Sequence, residues 1–547
     1  MSLLLRGADV VDGTGAPRRR ADVLVEADRI TAVDEALDAS DAEVVDLDGL
    51  VLAPGFIDVH THFDAQLFWD PDFTPSSWHG VTTAVQGNCG FGIAPTRPAD
   101  RTKIMETLEN VEGMNLATLE AGIDWCFETF PEYWSRVAAL PKRINLASFV
   151  GHTPLRIYTM GAEAAVTREA STEEISQMRA LVSEAMACGA IGLSTSQAPS
   201  HVGFRGLPVP SRLASRREIE ELLSAVGETG RGIVEITYGP QFDIAEVAEL
   251  SKQLGVRITW GALLTGLHGG PGASVELLER ASAVGGDLWP QLSCREIVFQ
   301  MSLADPYYFA EAAAFQEVLE LPRSQRARLY ADPSWRERAR PDAEKVRPAF
   351  PEKASIEETG CHQALLGRPL GELAAERGVH PLDLALDLAL EENLETRFRI
   401  VSRNDDPVEL SALLQDPRTL LGAHDAGAHV DMLCDSLFPT HLLSHWVRDQ
   451  GVLSLEEAVW RLSGQPAEVF RLRDRGQVAP GGIADLVAFD PERVAPLPIK
   501  RVYDFPAGGD RLSAGSIGIE HVWVNGEPIR RFGQDIAGAA PGVAVHG

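Results

Sequence analysis

Between about residues 50 and 430, short apolar runs bounded by glycine or polar residues alternate with stretches compatible with helix. This alternation is typical of repeated βα units and a parallel sheet. Eight runs have the character of buried strands, and eight strands close a (β/α)8 TIM-type barrel of the α/β class. In chain order they are GLVLAPGFIDVHTH, VTTAVQGNCG, INLASFVGHT, AIGLSTSQ, GIVEITYG, RITWGALLT, RFRIVSRN and TLLGAHDAGAH.

The two ends of the chain have a different pattern, with short runs of branched apolar residues broken by Gly and Asp turns. We predict that residues 1–52 and 475–535 pair into one small β-sandwich beside a barrel at 53–474. The interval from about 266 to 396 is too long for one crossover and predicts an inserted lid or subdomain. The Gly/Ala-rich residues 536–547 predict a flexible tail.

Composition narrows the class of protein. The chain has 547 residues with 45% hydrophobic content, which is enough for a large core, and a formal net charge of −30. That charge repels nucleic acids and anionic membrane surfaces, so we expect neither as a partner. The chain also lacks an apolar signal-peptide core and any run of about 18 apolar residues. These features predict a cytoplasmic protein acting on a small molecule, and they leave its oligomeric state open.

The segment APGFIDVHTHFD ends a buried strand with His60 and His62. Because side chains alternate along a strand, both imidazoles point to the same side. At the carboxyl end of a barrel strand, where active sites of this fold lie, such a pair is suited to bind a metal. The alternative is a pair of hydrogen-bonded, partly buried histidines. The other predicted strands also end in polar residues: Asn88 and Cys89, His152, Ser194 and Ser196, Glu235, Thr265, Arg403 and Asn404, and Asp425.

Several longer motifs carry a resemblance to a known family. APGFIDVHTHFD, GNCGFGIAP, VGHTPLR, HDAGAH and RGQVAPGGIADLV are similar to segments of the amidohydrolase superfamily, in particular its N-acyl-D-amino-acid deacylase (D-aminoacylase) branch. The similarity runs nearly end to end. It implies a metal-dependent barrel that hydrolyses amide bonds.

The resemblance also implies a ligand set. His60 and His62 match the family's H-x-H, Asp425 matches the carboxylate after the eighth strand, and Cys89 matches the cysteine that D-aminoacylases carry after the second. Imidazole, thiolate and carboxylate suit a divalent metal, with zinc expected. The other interpretation of Cys89 is a buried, inert thiol. No lysine lies between residues 142 and 252, which excludes the carbamylated lysine that many relatives use on strand four.

The chain departs from its relatives at strands five and six, where D-aminoacylases carry histidines for a second metal. Here those strands read IVEITYG and ITWGALLTG. Glu235 can act as an oxygen ligand, whereas Trp260 cannot ligate and is expected to form an apolar wall that reshapes the substrate pocket. His268 is expected to be a loop residue, with the alternative that it reaches the metal. We therefore expect one ion rather than two.

Roles for the remaining candidates follow from their strand-end positions. Asp425 is expected to be the general base and then the general acid. His152 is expected to stabilise the oxyanion, or else to support the ligands from behind. Asn88, Arg403 and Asn404 are expected to bind substrate; alternatively, Arg403 pairs with Asp405 or Asp406. One of His424 and His429, which flank Asp425, is expected to orient it.

Together these features predict hydrolysis of an amide C–N bond by a metal-activated water, with N-acyl (D-)amino acids as the leading substrates. One alternative is a hydrolase of the same fold acting on a cyclic amide, a carbamate or another non-peptide bond. The other is a non-catalytic metal-binding scaffold. The presence of His60, His62, Cys89 and Asp425 together argues against a scaffold, since these residues can form one metal sphere.

Overall fold

A parallel eight-stranded barrel organises the chain in the computed structural model, which describes residues 2–240 and 242–547. The strands neighbour one another in chain order, as predicted for a (β/α)8 fold. The His62 N–H donates to the Ala426 carbonyl at 2.7 Å, which links the first strand to the segment after the eighth. The barrel strands are Phe56–Thr61, Val81–Gln86, Asn145–Gly151, Gly192–Ser196, Ile233–Thr237, Arg257–Gly261, Leu288–Leu292 and Leu420–Leu421.

The seventh barrel strand is Leu288–Leu292, so its prediction as Arg397–Arg403 was wrong. The segment Arg397–Arg403 instead pairs antiparallel with Ile297–Ser302 and Ala354–Glu358 in a separate three-stranded sheet. The true strand is short and contains Pro290, which weakens its pattern. Arg397–Arg403 is a strand, but β-propensity does not specify which sheet a strand joins.

Helices connect the barrel strands, and several begin at capping boxes in which the cap side chain and a glutamate three residues later bond reciprocally to backbone N–H groups. The caps are Thr129, Ser171 and Asp243. The α-helices of the barrel unit are Phe63–Gln66, Arg101–Glu112, Leu116–Gly122, Phe130–Ala139, His152–Met160, Ala162–Ala165, Thr172–Cys188, Arg216–Gly227, Ile244–Leu254, Ala273–Val284, Pro407–Gln415, Phe438–His441, Leu455–Val459 and Gln465–Val469, with π-helical segments Leu442–Asp449 and Trp460–Gly464.

Strands from both ends of the chain join in one nine-stranded sheet. Strand Val51–Pro54 connects the two sets, because it pairs with Ser2–Val10 on one side and with Leu486–Phe489 on the other. The remaining strands are Arg19–Glu26, Arg29–Asp34, Glu43–Asp46, Ile519–Val524, Glu527–Arg531 and Gln534–Asp535. Two small hairpin-like sheets pair Ala495–Pro496 with Ser516–Ile517 and Lys500–Val502 with Arg511–Ser513.

A second compact unit comprises Glu296–Asp405 and Asp431–Leu433. It has its own apolar core and the three-stranded antiparallel sheet. The predicted insertion at 266–396 therefore began too early, since helix Ala273–Val284 and the seventh strand belong to the barrel. The helices of this unit are Ala313–Leu319, Arg323–Tyr330, Pro333–Val346, Phe350–Lys353, Leu370–Arg377 and Pro381–Glu391.

The last residues are not the flexible tail that their composition predicted. The Val545 N–H donates to the Leu146 carbonyl at 2.7 Å, and the Leu146 N–H donates to the Val543 carbonyl at 3.0 Å. These bonds pair the segment with the third barrel strand before that strand begins to pair with the fourth at Phe149. Backbone hydrogen bonding thus compensates for the weak packing of small residues.

Within the part of the chain that the structure describes, no helix has the length and apolar character needed to cross a bilayer.

Candidate metal centre

Three potential ligands converge at the carboxyl end of the barrel. His60 and His62 are each 2% exposed, and their ring centroids are 5.4 Å apart. The Cys89 sulfur lies 3.3 Å from His60 Nε2. Ligand atoms of His60, His62 and Cys89 all lie within 4.8 Å of one another. The alternation of side chains along the first strand places His60 and His62 on one side, and the end of the second strand places Cys89 beside them, as the sequence predicted.

Asp425 reaches this cluster from the segment after the eighth strand. Its Oδ1 lies 3.0 Å from His60 Nε2 and 3.7 Å from His62 Nε2. Its side chain is 34% exposed, whereas both histidines are buried. Asp425 is therefore the member of the cluster that solvent reaches most readily.

Glu235 supports the cysteine from the fifth strand. It is fully buried, and its Oε2 accepts a hydrogen bond from the Cys89 N–H at 2.8 Å. Cys89 has a left-handed backbone with φ of 57°. This conformation is uncommon for a residue other than glycine, and the bond to Glu235 helps to hold it.

Gln291, on the seventh strand, fixes the orientation of His60. Its Oε1 accepts from His60 Nδ1–H and from the Ala423 N–H, and its Nε2 donates to Thr259 Oγ1 at 3.1 Å. Because His60 donates its Nδ1–H to the Gln291 oxygen, Nε2 is the ring nitrogen that points to the cluster and is available to ligate an ion. Gln291 was not predicted as a site residue because the seventh strand was not recognised. The feature that could have indicated it is the polar side chain in the apolar run LWPQL.

Replacing Gln291 by Met removes this acceptor while keeping a side chain of similar length. We expect Zn²⁺ affinity to fall by about 10- to 100-fold, as is typical when the partner of a ligating histidine is lost. Chelator competition measures this affinity. The control is Gln253→Met on the exposed surface of helix Ile244–Leu254. Equal affinities in the two variants would exclude the role of Gln291.

Burial of several acidic groups shapes the electrostatics of the centre. Desolvation raises the pKa of Cys89 to about 12, that of Glu235 to about 7 and that of Glu112 well above its ordinary value. Desolvation also raises the pKa of Asp425, but the hydrogen bond and the positive charge of His60 outweigh it and hold that pKa well below its ordinary value. A cation would favour the ionised form of every one of these groups.

The donor set fits a divalent metal ion. His62 Nε2 is buried and has no hydrogen bond to any described residue. Desolvation lowers the pKa of His62 to about 4, so the ring is neutral at pH 7 and can offer a lone pair to an ion. An unsatisfied buried nitrogen facing carboxylates is costly unless a further group binds it. Imidazole nitrogen, thiolate and carboxylate oxygen are the ligand types of zinc and similar ions.

The structure does not place His152 in this centre. His152 begins helix His152–Met160; its Nδ1 bonds to Thr195 Oγ1 at 2.8 Å and its Nε2 to Glu218 Oε1 at 2.9 Å. Both ring nitrogens are thus engaged in a buried network that also contains Arg156. The predicted oxyanion role of His152 is wrong, because no ring N–H remains to donate to a substrate.

Asn88 and Trp260 are also buried rather than presented to substrate. The Asn88 amide donates to the carbonyls of Thr61 and Val85, which joins the first two strands. Trp260 is 0% exposed and packs its ring against half-buried Tyr238 at 5.4 Å. The expectation that these two side chains contact substrate is contradicted, since neither has an exposed surface to offer.

Arg403 and Asn404 belong to the second unit. They lie at the end of its middle strand, so they do not follow a barrel strand as predicted. Lys353 pairs with Asp405 at 2.7 Å, and Asp406 caps helix Pro407–Gln415. The substrate-binding roles of Arg403 and Asn404 rested on the wrong seventh strand and lose that support.

The contacts that His268 and His424 make with described residues do not support a role as a metal ligand or as a hydrogen-bond partner of Asp425. His268 bonds to Tyr238 through Nδ1 and to the Ala262 carbonyl through Nε2, consistent with a loop residue. His424 stacks on Phe438 at 3.7 Å, and neither of its ring nitrogens bonds to a described residue. His424 therefore does not orient Asp425 through a hydrogen bond.

Sequence reasoning missed Glu112 and His201. Glu112 ends helix Arg101–Glu112, and its Oε2 lies 3.5 Å from His62 Nε2. His201 follows the fourth strand, bonds through Nδ1 to Ser196 Oγ at 2.7 Å, and has its pKa lowered to about 4 by burial. Neither residue lies directly at a strand end, so strand-end position gave no signal for them.

A parallel barrel with buried histidines, a cysteine and carboxylates at its carboxyl end has the architecture of the metal-dependent barrel hydrolases. The chain belongs to the amidohydrolase family, whose model Amidohydro_3 matches residues 43–530. This membership confirms the resemblance found in the sequence.

Individual relatives are similar over nearly the whole chain. A D-aminoacylase from Alcaligenes xylosoxydans xylosoxydans is 32% identical, over 96% of this chain and 94% of its own length. A solved D-aminoacylase structure, described by its binuclear metal centre with one-metal activation and second-metal attenuation, matches with a TM-score of 0.67, 28% identity and coverage of 100% and 99%. An N-acyl-D-glutamate deacylase from Bordetella bronchiseptica, complexed with zinc and a phosphonate mimic of the tetrahedral intermediate, has a TM-score of 0.67, 25% identity and the same coverage.

Proposed function

We propose that this chain hydrolyses the amide bond of N-acyl amino acids, with N-acyl-D-amino acids as the leading substrates, and that it uses one bound divalent ion, zinc. The observation that carries this proposal is the convergence of His60, His62, Cys89 and Asp425 at the carboxyl end of the barrel. The deacylase relatives supply the substrate class.

His60, His62 and Asp425 would hold the ion, with Cys89 or Glu235 completing its sphere. When bound there, a divalent ion lowers the pKa of a water toward neutrality and polarises the acyl carbonyl. The remaining chemistry belongs to the side chains. Gln291 keeps His60 in the tautomer that ligates, and Glu235 holds the Cys89 backbone in place.

Asp425 moves the proton. Its carboxylate is ionised at neutral pH because His60 keeps its pKa low, and its 34% exposure leaves it accessible to a water. It accepts the proton of the attacking water and returns it to the amino-acid nitrogen as the C–N bond breaks. One carboxylate thus acts as base and then as acid.

A single ion is favoured because strands five and six offer few ligands for a second. Glu235 is already bonded to the Cys89 N–H, and Trp260 has no metal-binding atom. The D-aminoacylase relative described as activated by one metal provides a precedent for chemistry that needs only one.

A substrate panel tests the reaction. Zinc-loaded protein is incubated with N-acetyl-D-amino acids, N-acetyl-L-amino acids and cyclic amides such as hydantoins, and the product amines or ring-opened acids are quantified. We expect release of free D-amino acid at rates above those of the L-series. Ring opening without release from any N-acyl amino acid would contradict the proposal and assign the chain to the cyclic-amide hydrolases.

A further inference from the structure

Glu112 occupies a position where helix periodicity calls for an apolar residue. Ile104, Leu108 and Glu112 follow one another at intervals of four on the buried side of helix Arg101–Glu112. Residues at this spacing share one helix face. The Glu112 side chain is only 4% exposed, so the stripe ends in a buried carboxylate. Such a group is costly to bury unless a positive partner compensates it.

That carboxylate faces the metal centre. Glu112 Oε2 lies 3.5 Å from His62 Nε2, the buried ring nitrogen that bonds to no described residue. Asp425 Oδ1 lies 3.7 Å from the same nitrogen. Both separations are too long for a good N–H···O hydrogen bond. Each carboxylate therefore lies near the His62 nitrogen without forming a good hydrogen bond to it.

These separations match those between ligands of one ion. Two donor atoms at about 2.0–2.2 Å from zinc in tetrahedral geometry lie about 3.3–3.6 Å apart. The pair of His62 and Glu112 falls inside this range, and the pair of His62 and Asp425 lies just beyond it.

A backbone hydrogen bond links Glu112 to the segment that follows the eighth strand and carries Asp425. Its carbonyl accepts a hydrogen bond from the His429 N–H, four residues after Asp425. Gly113 follows with φ of 60°, which ends the helix at this point. The backbone of Glu112 is thereby linked to the segment that carries Asp425.

We infer that Glu112 is a ligand of the divalent ion, together with His60, His62 and Asp425. This inference rests on the proposed function. It adds a second carboxylate to the ligands named in the proposed function, and it explains how a chain without histidines on strands five and six can hold its ion.

The test compares Glu112→Gln with Glu109→Gln, an exposed glutamate one turn earlier in the same helix. Zn²⁺ affinity is measured by chelator competition, and the thermal midpoint of each protein is measured with and without Zn²⁺. We expect Glu112→Gln to bind Zn²⁺ at least 10-fold more weakly than wild type, and Glu109→Gln to match wild type. The metal-free midpoint of Glu112→Gln should equal or exceed that of wild type, because glutamine fills the same space without an ionisable group to bury.

Wild-type Zn²⁺ affinity in Glu112→Gln would overturn the inference. A metal-free midpoint below that of wild type would also overturn it, since Glu112 would then serve the fold rather than the ion. Either result leaves the proposed function standing if the substrate panel is hydrolysed. Conversely, weakened Zn²⁺ binding with no turnover of the panel would retain Glu112 as a ligand and reject the deacylase activity.

Discussion

Replacing Asp425 by Asn is expected to lower kcat on an N-acyl-D-amino acid by about 10²- to 10⁴-fold, the usual contribution of a positioned acid–base group. The amide keeps the shape of the side chain but cannot accept the water's proton or return it to the leaving nitrogen. It is also a poorer ligand, because it carries no charge. Turnover should be measured in steady state on protein whose bound metal has been quantified.

The control is Asp287→Asn, which changes a carboxylate that is 44% exposed and paired with Arg257. This variant should keep wild-type turnover. Expressing kcat per bound ion separates loss of the proton carrier from loss of the metal. An Asp425→Asn protein that turns over at the wild-type rate per bound ion would exclude Asp425 as the base.

The largest expected loss of stability is at Glu218. This carboxylate is fully buried. Its Oε1 accepts a hydrogen bond from the Arg156 guanidinium at 2.6 Å and another from His152 Nε2. Glu218→Gln leaves the buried Arg156 guanidinium without its counter-charge, which costs about 3–5 kcal/mol in comparable pairs. A denaturant titration should show the midpoint of unfolding shifted accordingly.

The exposed pair of Glu220 and Arg216 provides a matched control two residues away. Glu220→Gln should leave the midpoint almost unchanged, because exposed ion pairs contribute little. An equally small effect of Glu218→Gln would contradict the structural role assigned to the His152 network.

The same network predicts a pH dependence of stability. Desolvation raises the pKa of Glu218, but His152 and Arg156 outweigh it and lower that pKa in the folded protein. A carboxylate whose pKa is lower in the folded than in the unfolded chain stabilises the folded protein. This stabilisation is fully present above the unfolded-state pKa of about 4.3 and is lost as the pH falls through the folded-state pKa. The wild-type advantage over Glu218→Gln should therefore shrink below about pH 4.3.

Predictions from the sequence were correct where the two-residue period of a strand, or its apolar run, was enough to decide them. His60 and His62 converge because a strand repeats every two residues, and seven of the eight barrel strands lie in the predicted runs. The seventh failed because LWPQL is short and contains Pro290, while the stronger β-pattern of Arg397–Arg403 belongs to another sheet. Local propensity does not specify a strand's partner.

Strand-end position was a weaker guide to individual side chains. It brought Cys89, Glu235 and Asp425 to one centre, but it also selected Asn88 and His152, whose polar atoms face backbone or a buried ion pair. Which way such a side chain turns depends on long-range contacts. Glu112 was missed for the same reason, since a helix well beyond the second strand brings it back to His62.

The most direct test of this account is a titration of metal-free protein with Zn²⁺ while hydrolysis of an N-acetyl-D-amino acid is followed. The account predicts no turnover without metal, a rise in proportion to added Zn²⁺, and a plateau at one ion per chain. Turnover by the metal-free protein, or a plateau reached only at two ions per chain, would contradict it.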